Sequence, residues 1–327
     1  MIKSYADMIR ETLDEALQND ASIFLAGEDI GVYGGCFGIT KGLLDKYGKN
    51  RVIDMPMSES AIVGFGTGSA LQGLKPIIEI MFMDFVTLIY DQLFNHASIF
   101  NYISGGKTPV PLVIRVPAGA GRGYGATHSK SLFAPLMHIP GIKIVASSNV
   151  LEAKGLLNSS IKDNNPVIFV EHKLLYQVKA DVDNVPNEIE LGKANILKSG
   201  KDVLIISFSK AVNDCLEVAN DMEKHGVSVE VIDLRTLKPL DMELITSSVK
   251  KIGKVVVVEE GFSECGVAAE IIARINEMCF YSLSSPVKRI TTLDVPIPCF
   301  PGFEKKVIPS KERIEAAVLD LLDERQL

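Results

Sequence analysis

The stretch Asp54-Met-Pro-Met-Ser-Glu-Ser-Ala-Ile-Val-Gly-Phe-Gly-Thr-Gly68 holds a turn, one acid and a run of small and apolar residues. The run Arg51-Val-Ile-Asp54 reaches the turn at Pro56, and Glu59 opens a segment read as a helix. Ser58 stands where an N-cap belongs, its hydroxyl placed to accept a free backbone N–H. An acid in the first turn suits the positive end of the helix dipole, which is the plain reading of Glu59. The glycines do not fit that reading alone. Gly64, Gly66, Gly68 and Gly73 each weaken a helix by roughly 1 kcal/mol relative to alanine. The pattern predicts close approach by another backbone or a ligand. A carboxylate in tight apolar packing there is expected to have a raised pKa and to hold or pass a proton.

Working outward, 327 residues suffice for two domains. With 47% hydrophobic and 23% charged residues, the composition is that of a soluble globular protein. A net charge of −7 gives no electrostatic reason to expect nucleic acid or an anionic membrane as partner. No apolar run reaches the ~18–20 residues of a membrane span, and Met-Ile-Lys-Ser-Tyr-Ala-Asp7 does not read as a signal peptide. The five cysteines include no Cys-x-x-Cys pair and read as reduced thiols, so a cytoplasmic location is expected.

Apolar runs alternate with helical periods along the chain. Strands are expected at 23–26, 76–80, 111–116, 142–146 and 167–171, and helices at 4–19, 40–47, 59 onward, 84–103 and 150–162. The helix at 84–103 is the longest expected. Residues 177–200 are polar, with Pro186, and read as a linker. Beyond it come strands at 203–208, 227–232, 254–259 and 287–293, with helices at 211–225, 241–251, 265–278 and 310–324. This is α/β alternation with parallel sheets covered on both faces. The expected division is a first domain at 1–180, a linker at 181–200 and a second domain at 201–327.

Gly64, Gly66 and Gly68 follow Gly-x-Gly-x-Gly, not the dinucleotide order, and no phosphate loop occurs. Glycine-rich loops at 31–38 and 119–125 each follow a strand, which fits the mouth of a site at the carboxyl edge of a parallel sheet. His128, in Thr-His-Ser-Lys-Ser131, is either a solvated loop histidine or a proton-transfer group. Phe85 is either helix core or a ring that stacks on a planar heterocycle. His96, His138 and His225 read as structural, and no paired-carboxylate geometry is evident in the sequence.

The sequence resembles the β subunit of the thiamine-diphosphate-dependent first component of 2-oxoacid dehydrogenase complexes. The resemblance runs along essentially the whole chain. Its markers include Gly27-Glu-Asp-Ile-Gly31, Gly34-Gly-Cys-Phe-Gly-Ile-Thr40, Met55-Pro-Met-Ser-Glu-Ser60, Gly73-Leu-Lys-Pro76, Ser104-Gly-Gly106, Pro140-Gly141, Asp163-Asn-Asn-Pro166 and Asp233-Leu-Arg-Thr236. It implies a pyrimidine-binding domain followed by a transketolase C-terminal-like domain. Glu59 matches the glutamate that bonds the cofactor's aminopyrimidine, Phe85 an aromatic packed on that ring, and Glu28 an acid close to the cofactor. His128 matches a histidine that orients substrate and handles protons. Members also hold a structural potassium ion, and the matching positions are Leu112, Ser160, Ile161, Asp163 and Asn165. Ser160 departs from a commoner alanine, but several ligands there are backbone carbonyls.

Enzymes of this type bind the diphosphate through Mg²⁺ with a Gly-Asp-Gly motif followed by Asn-Asn. This chain has Asn164-Asn165 without the preceding Gly-Asp-Gly. The resemblance therefore implies that an α subunit supplies the metal half, in an α2β2 heterotetramer that also meets a lipoyl-bearing acyltransferase. Met81-Phe-Met-Asp-Phe85 and Val170-Glu-His-Lys-Leu-Leu-Tyr176 look more like the acetoin dehydrogenase β subunit than a typical pyruvate enzyme. Acetoin cleavage or pyruvate decarboxylation is expected. The alternatives are a branched-chain 2-oxoacid enzyme, a specialised acyloin or acyl-transfer enzyme, and a non-catalytic docking subunit.

Overall fold

Side chains of a parallel sheet covered on both faces are all buried, so its strands carry no apolar–polar alternation. The computed structural model describes residues 1–323, and counts or absences stated for the structure refer to these. In chain order the first elements are β1 (Ile2–Ser4), α1 (Tyr5–Asn19), β2 (Ile23–Gly27), α2 (Leu43–Tyr47), β3 (Val52–Asp54), α3 (Glu59–Leu71) and β4 (Lys75–Glu79). Next come α4 (Phe100–Ile103), β5 (Val113–Ala118), α5 (Phe133–Met137), β6 (Lys143–Ala146), α6 (Val150–Ile161), β7 (Val167–His172) and β8 (Lys179–Asp181). The rest are β9 (Asn195–Lys198), β10 (Val203–Ser207), α7 (Ala211–Lys224), β11 (Val229–Asp233), β12 (Thr236–Lys238), α8 (Met242–Ile252), β13 (Val255–Phe262), α9 (Val267–Cys279), β14 (Lys288–Thr292), α10 (Pro301–Val307) and α11 (Lys311–Asp323). β2, β5, β7 and β10 are buried along their whole length.

The chain divides into two compact units, Met1–Ala118 with Pro135–Leu191, and Gly119–Ala134 with the chain from Gly192 onward. The expected first domain at 1–180 includes residues 119–134, which the structure assigns to the second unit. In the first unit, parallel strands run in the order β6-β7-β5-β4-β2-β3. Tyr5, Ile9 and Leu13 of α1 share a core with Leu156 of α6 and Phe169 of β7. α3 packs on β2 and β4 and on a 3-10 turn at Met83–Leu88. In the second unit, β14, β13, β10 and β11 are parallel and β9 closes one edge antiparallel. Val203, Ile205 and Val256 pack there with Met222 of α7 and Ile314 of α11.

The helix expected over 84–103 is broken into three. A 3-10 turn, a π-helical turn at Gln92–Ala97 and α4 replace it. Tyr90 stacks on Phe94 at 5.7 Å, and the Ser98 hydroxyl donates to the Phe94 carbonyl at 3.0 Å. The backbone at Gly141 presses on this point, since a Cβ there would lie 2.2 Å from the Ser98 carbonyl oxygen. Such intrusions at the hydrogen-bond ladder interrupt helices. The segment expected as a linker carries two short edge strands. β8 pairs antiparallel with β1, and β9 with β11. The last helix was expected to reach Glu324, a residue outside those described. No helix among the described residues is long and apolar enough to cross a membrane.

Candidate active site

Parallel strands bring their carboxyl ends to one edge, where ligand sites gather. Gly27 at the end of β2 pairs in register with Asp54 at the end of β3, and the Met55 N–H donates to the Gly27 carbonyl at 2.9 Å. The two segments leaving the sheet therefore start side by side. One begins with Glu28; the other turns through Pro56 and enters α3 at Glu59. Burial pushes the Glu28 carboxyl up, and the Glu59 and Asp29 carboxylates push it further. Both Glu28 and Glu59 are half-buried.

Two expectations about this helix need correction. Glu59 is not sealed in apolar packing, because it is the first helical residue and lies between exposed Ser58 and Ser60. Ser58 occupies the N-cap position, but its hydroxyl caps nothing. Its backbone carbonyl does the anchoring, accepting the Ile62 N–H at 3.0 Å. Close approach explains two of the four glycines. A Cβ on Gly66 would stand 2.9 Å from Ile78 Cγ1 and 3.1 Å from Leu112 Cδ1, and one on Gly64 would stand 3.2 Å from Gln92 Oε1. A Cβ on Gly68 would meet nothing within 4 Å. Gly73 serves the turn after the helix, with φ of +86°.

Phe85 sits half-buried on the 3-10 turn against which α3 packs. Its ring lies edge-on to Phe82 at 6.1 Å, and Phe82 in turn meets Phe37 of the first glycine loop at 5.7 Å. The buried Lys173 ammonium lies 5.0 Å from the Phe82 ring centre. Asp54 pins the same loop, accepting the Gly31 N–H at 2.6 Å and the Val32 N–H at 3.2 Å. Any side chain on Gly31 would collide with that carboxylate.

The sequence reading missed a buried ion cluster behind this edge. Arg115 donates to Glu79 at 2.6 Å and to both oxygens of Glu171 at 2.7 and 2.8 Å. The Tyr176 hydroxyl donates to Glu171 at 2.8 Å. Burial pushes the Glu79 carboxyl up; Arg115 opposes the shift and Glu171 adds to it. The signal was one charge in each of three apolar runs, at 76–80, 111–116 and 167–171. Glu79 pairs in register with Arg115 on the neighbouring strand. Cys36 feels the same acids, its thiol pushed up by burial first and then by Glu79, Asp29 and Glu28.

His128 belongs to the second unit. It follows a 3-10 turn at Gly125–Thr127, its N–H donates to the Gly125 carbonyl at 3.3 Å, and its Nδ1 lies 2.9 Å from the Thr127 hydroxyl. The ring is half-buried.

Comparison with known proteins bears directly on these two units. Residues 3–179 match the transketolase pyrimidine binding domain, and residues 192–314 the transketolase C-terminal domain. The chain is 43% identical over 316 residues to the pyruvate dehydrogenase E1 component subunit beta of Gracilaria tenuistipitata var. liui, covering 97% of this chain and 98% of that one. It is 41% identical over 319 residues to the acetoin:2,6-dichlorophenolindophenol oxidoreductase subunit beta of Cupriavidus necator, covering 94% of each. The chain belongs to the transketolase-like family of dehydrogenase β subunits. A split gene transketolase, solved as an inactive β4 tetramer, shares the fold with a TM-score of 0.82 over 99% of each chain, at 20% identity.

Of the positions matched to potassium ligands in this β-subunit family, Ser160 and Ile161 end α6, Asp163 and Asn165 follow it, and Leu112 precedes β5. The Leu112 carbonyl accepts the Val167 N–H at 2.8 Å, and the Ser160 carbonyl accepts the Asp163 N–H at 3.3 Å. Ser160 and Ile161 are buried at the negative end of the helix, which suits a cation. The Asp163 carboxylate is engaged otherwise, by the Lys143 ammonium and by the Asn165 N–H at 2.9 Å. Among the described residues, no three of His, Cys, Asp and Glu are grouped to hold a metal ion. The first unit's half-exposed flat ring and two neighbouring carboxylates fit an aminopyrimidine, which offers a planar face and ring nitrogens.

Proposed function

We propose that this chain is the β subunit of a heteromeric thiamine-diphosphate-dependent dehydrogenase that cleaves acetoin or decarboxylates pyruvate and passes the acetyl unit to a lipoyl acceptor. The observation that carries the reading is the Glu28–Glu59 pair at the carboxyl edge of a parallel sheet, with Phe85 on the turn packed against α3. The bound cofactor supplies an acidic thiazolium carbon for cleavage next to a carbonyl. Glu59 bonds the ring nitrogen of the aminopyrimidine and exchanges a proton with it. Glu28, which holds its proton more tightly than an ordinary carboxyl, is the adjacent reservoir for that exchange. Phe85 presents its face to the planar ring. His128 orients the substrate carbonyl and moves a proton during acyl transfer.

In this reading an α subunit brings the diphosphate and Mg²⁺ half, the assembly is α2β2 in the cytoplasm, and the carbonyls at the end of α6 hold potassium. Identities of 43% to a pyruvate enzyme subunit and 41% to an acetoin enzyme subunit support both substrates. The test is reduction of an artificial acceptor by this chain co-expressed with its α subunit, comparing acetoin, pyruvate and branched-chain 2-oxoacids. Glu59→Gln is expected to lower turnover at least ~100-fold while the complex still assembles. Full activity in that variant would sink the assignment of Glu59, and turnover by the β chain alone would sink the heteromer.

A further inference from the structure

The loop that carries His128 has little means of holding its own shape. Gly119, Gly121, Gly123 and Gly125 all have φ between +70° and +97°, and glycine in this region is conformationally free. What fixes the loop comes from elsewhere in the second unit. The Gly121 N–H donates to Glu304 Oε1 at 2.8 Å and the Gly123 N–H to Glu304 Oε2 at 3.0 Å. The Ala120 N–H donates to Glu260 at 2.7 Å, and the Ser131 hydroxyl reaches the same oxygen at 3.2 Å. Cys299 closes the side, since a Cβ on Gly123 would lie 3.0 Å from its carbonyl oxygen and one on Gly125 3.3 Å from its Cβ.

Glu304 is 1% exposed, yet no cation pairs with its side chain among the described residues. A buried carboxylate is costly unless it is hydrogen-bonded, and its two oxygens are spent on two loop amides. The clamp is continuous with His128, whose N–H is bonded to the Gly125 carbonyl. We infer that Glu304 is a positioning residue: by bridging the Gly121 and Gly123 amides it holds the glycine loop, and through it His128, in one place. This rests on the reading of His128 given above, and it adds a requirement outside the loop itself.

The experiment uses the assembled heterotetramer with Glu304→Gln. The amide group turns one acceptor into a donor that faces an N–H, so one of the two bonds is lost while volume is kept. Hydrogen exchange in the peptide covering 119–128 is expected to quicken about tenfold, with peptides of β10 unchanged. The kcat is expected to fall about tenfold with KM nearly constant, a smaller loss than in His128→Gln. Should Glu304→Gln fail to fold, Glu304→Asp carries the same test, since it keeps the charge but draws the carboxylate back by one methylene from the Gly121 and Gly123 amides. Unchanged exchange over 119–128 overturns the clamp, and faster exchange with unchanged kcat overturns the positioning role. If His128→Gln itself kept full turnover, the reading of His128 would fail separately, because the exchange measurement does not depend on it.

Discussion

Arg115 bonds two buried carboxylates, one of which also accepts a buried phenol. Removing one partner of a buried ion pair strands the other, at a cost of about 3–5 kcal/mol. Arg115→Met should therefore destabilise the chain by that much in urea unfolding, and a loss under about 1 kcal/mol would show that water reaches the cluster. Glu28, Glu59, Phe85 and His128 could be singled out as candidates because each stands inside a local run of recognisable residues. Glu79, Arg115 and Glu171 were visible only as lone charges in apolar strands. Their partnership depends on β5 lying between β4 and β7, and that order is not written in any one segment.

Glu259 shows how an element's end depends on a neighbour. Lying on β13, it accepts the Val267 N–H at 3.1 Å and the Ala268 N–H at 2.7 Å, and so caps α9 from outside. Burial nevertheless dominates, pushing its carboxyl up to about 7 against the two N–H groups and Arg289. A raised folded-state pKa means the native state binds the proton more tightly than the unfolded chain. That stability is present in full below about pH 4.5 and is lost as pH rises to about 7. The loss is roughly 3 kcal/mol. Denaturant unfolding at about pH 5 and pH 8 should show a larger decline in the parent than in Glu259→Gln. Equal declines would place the titration elsewhere. The long helix expected at 84–103 failed at this scale too. Its periodicity was real, but one of its breaks falls at Ser98, which Gly141 approaches from a part of the chain far away in sequence.

For the whole molecule, the two kinds of glycine in α3 separate folding from assembly. Gly66→Leu forces a side chain into Ile78 and Leu112 and should cost the chain about 1–3 kcal/mol. A Cβ on Gly68 would meet nothing within 4 Å, and the helix propensity of leucine in Gly68→Leu should raise the stability of the lone chain by up to ~1 kcal/mol. If α3 faces the proposed α subunit, the same change should block the heterotetramer, read as mass by sedimentation. An intact tetramer with Gly68→Leu would move the interface away from this face. The two-unit α/β plan was legible throughout, because buried parallel strands announce themselves as apolar runs. The allocation of 119–134 to the second unit was not, since the contacts that decide it join residues over a hundred positions apart. Gly68 carries a further consequence. A helix left weak along an uncovered side unwinds more readily, and the segments that open first are those a protease finds. If the proposed α subunit covers this face, chain left without it should be nicked first within 59–71, and limited proteolysis with and without the partner would show it.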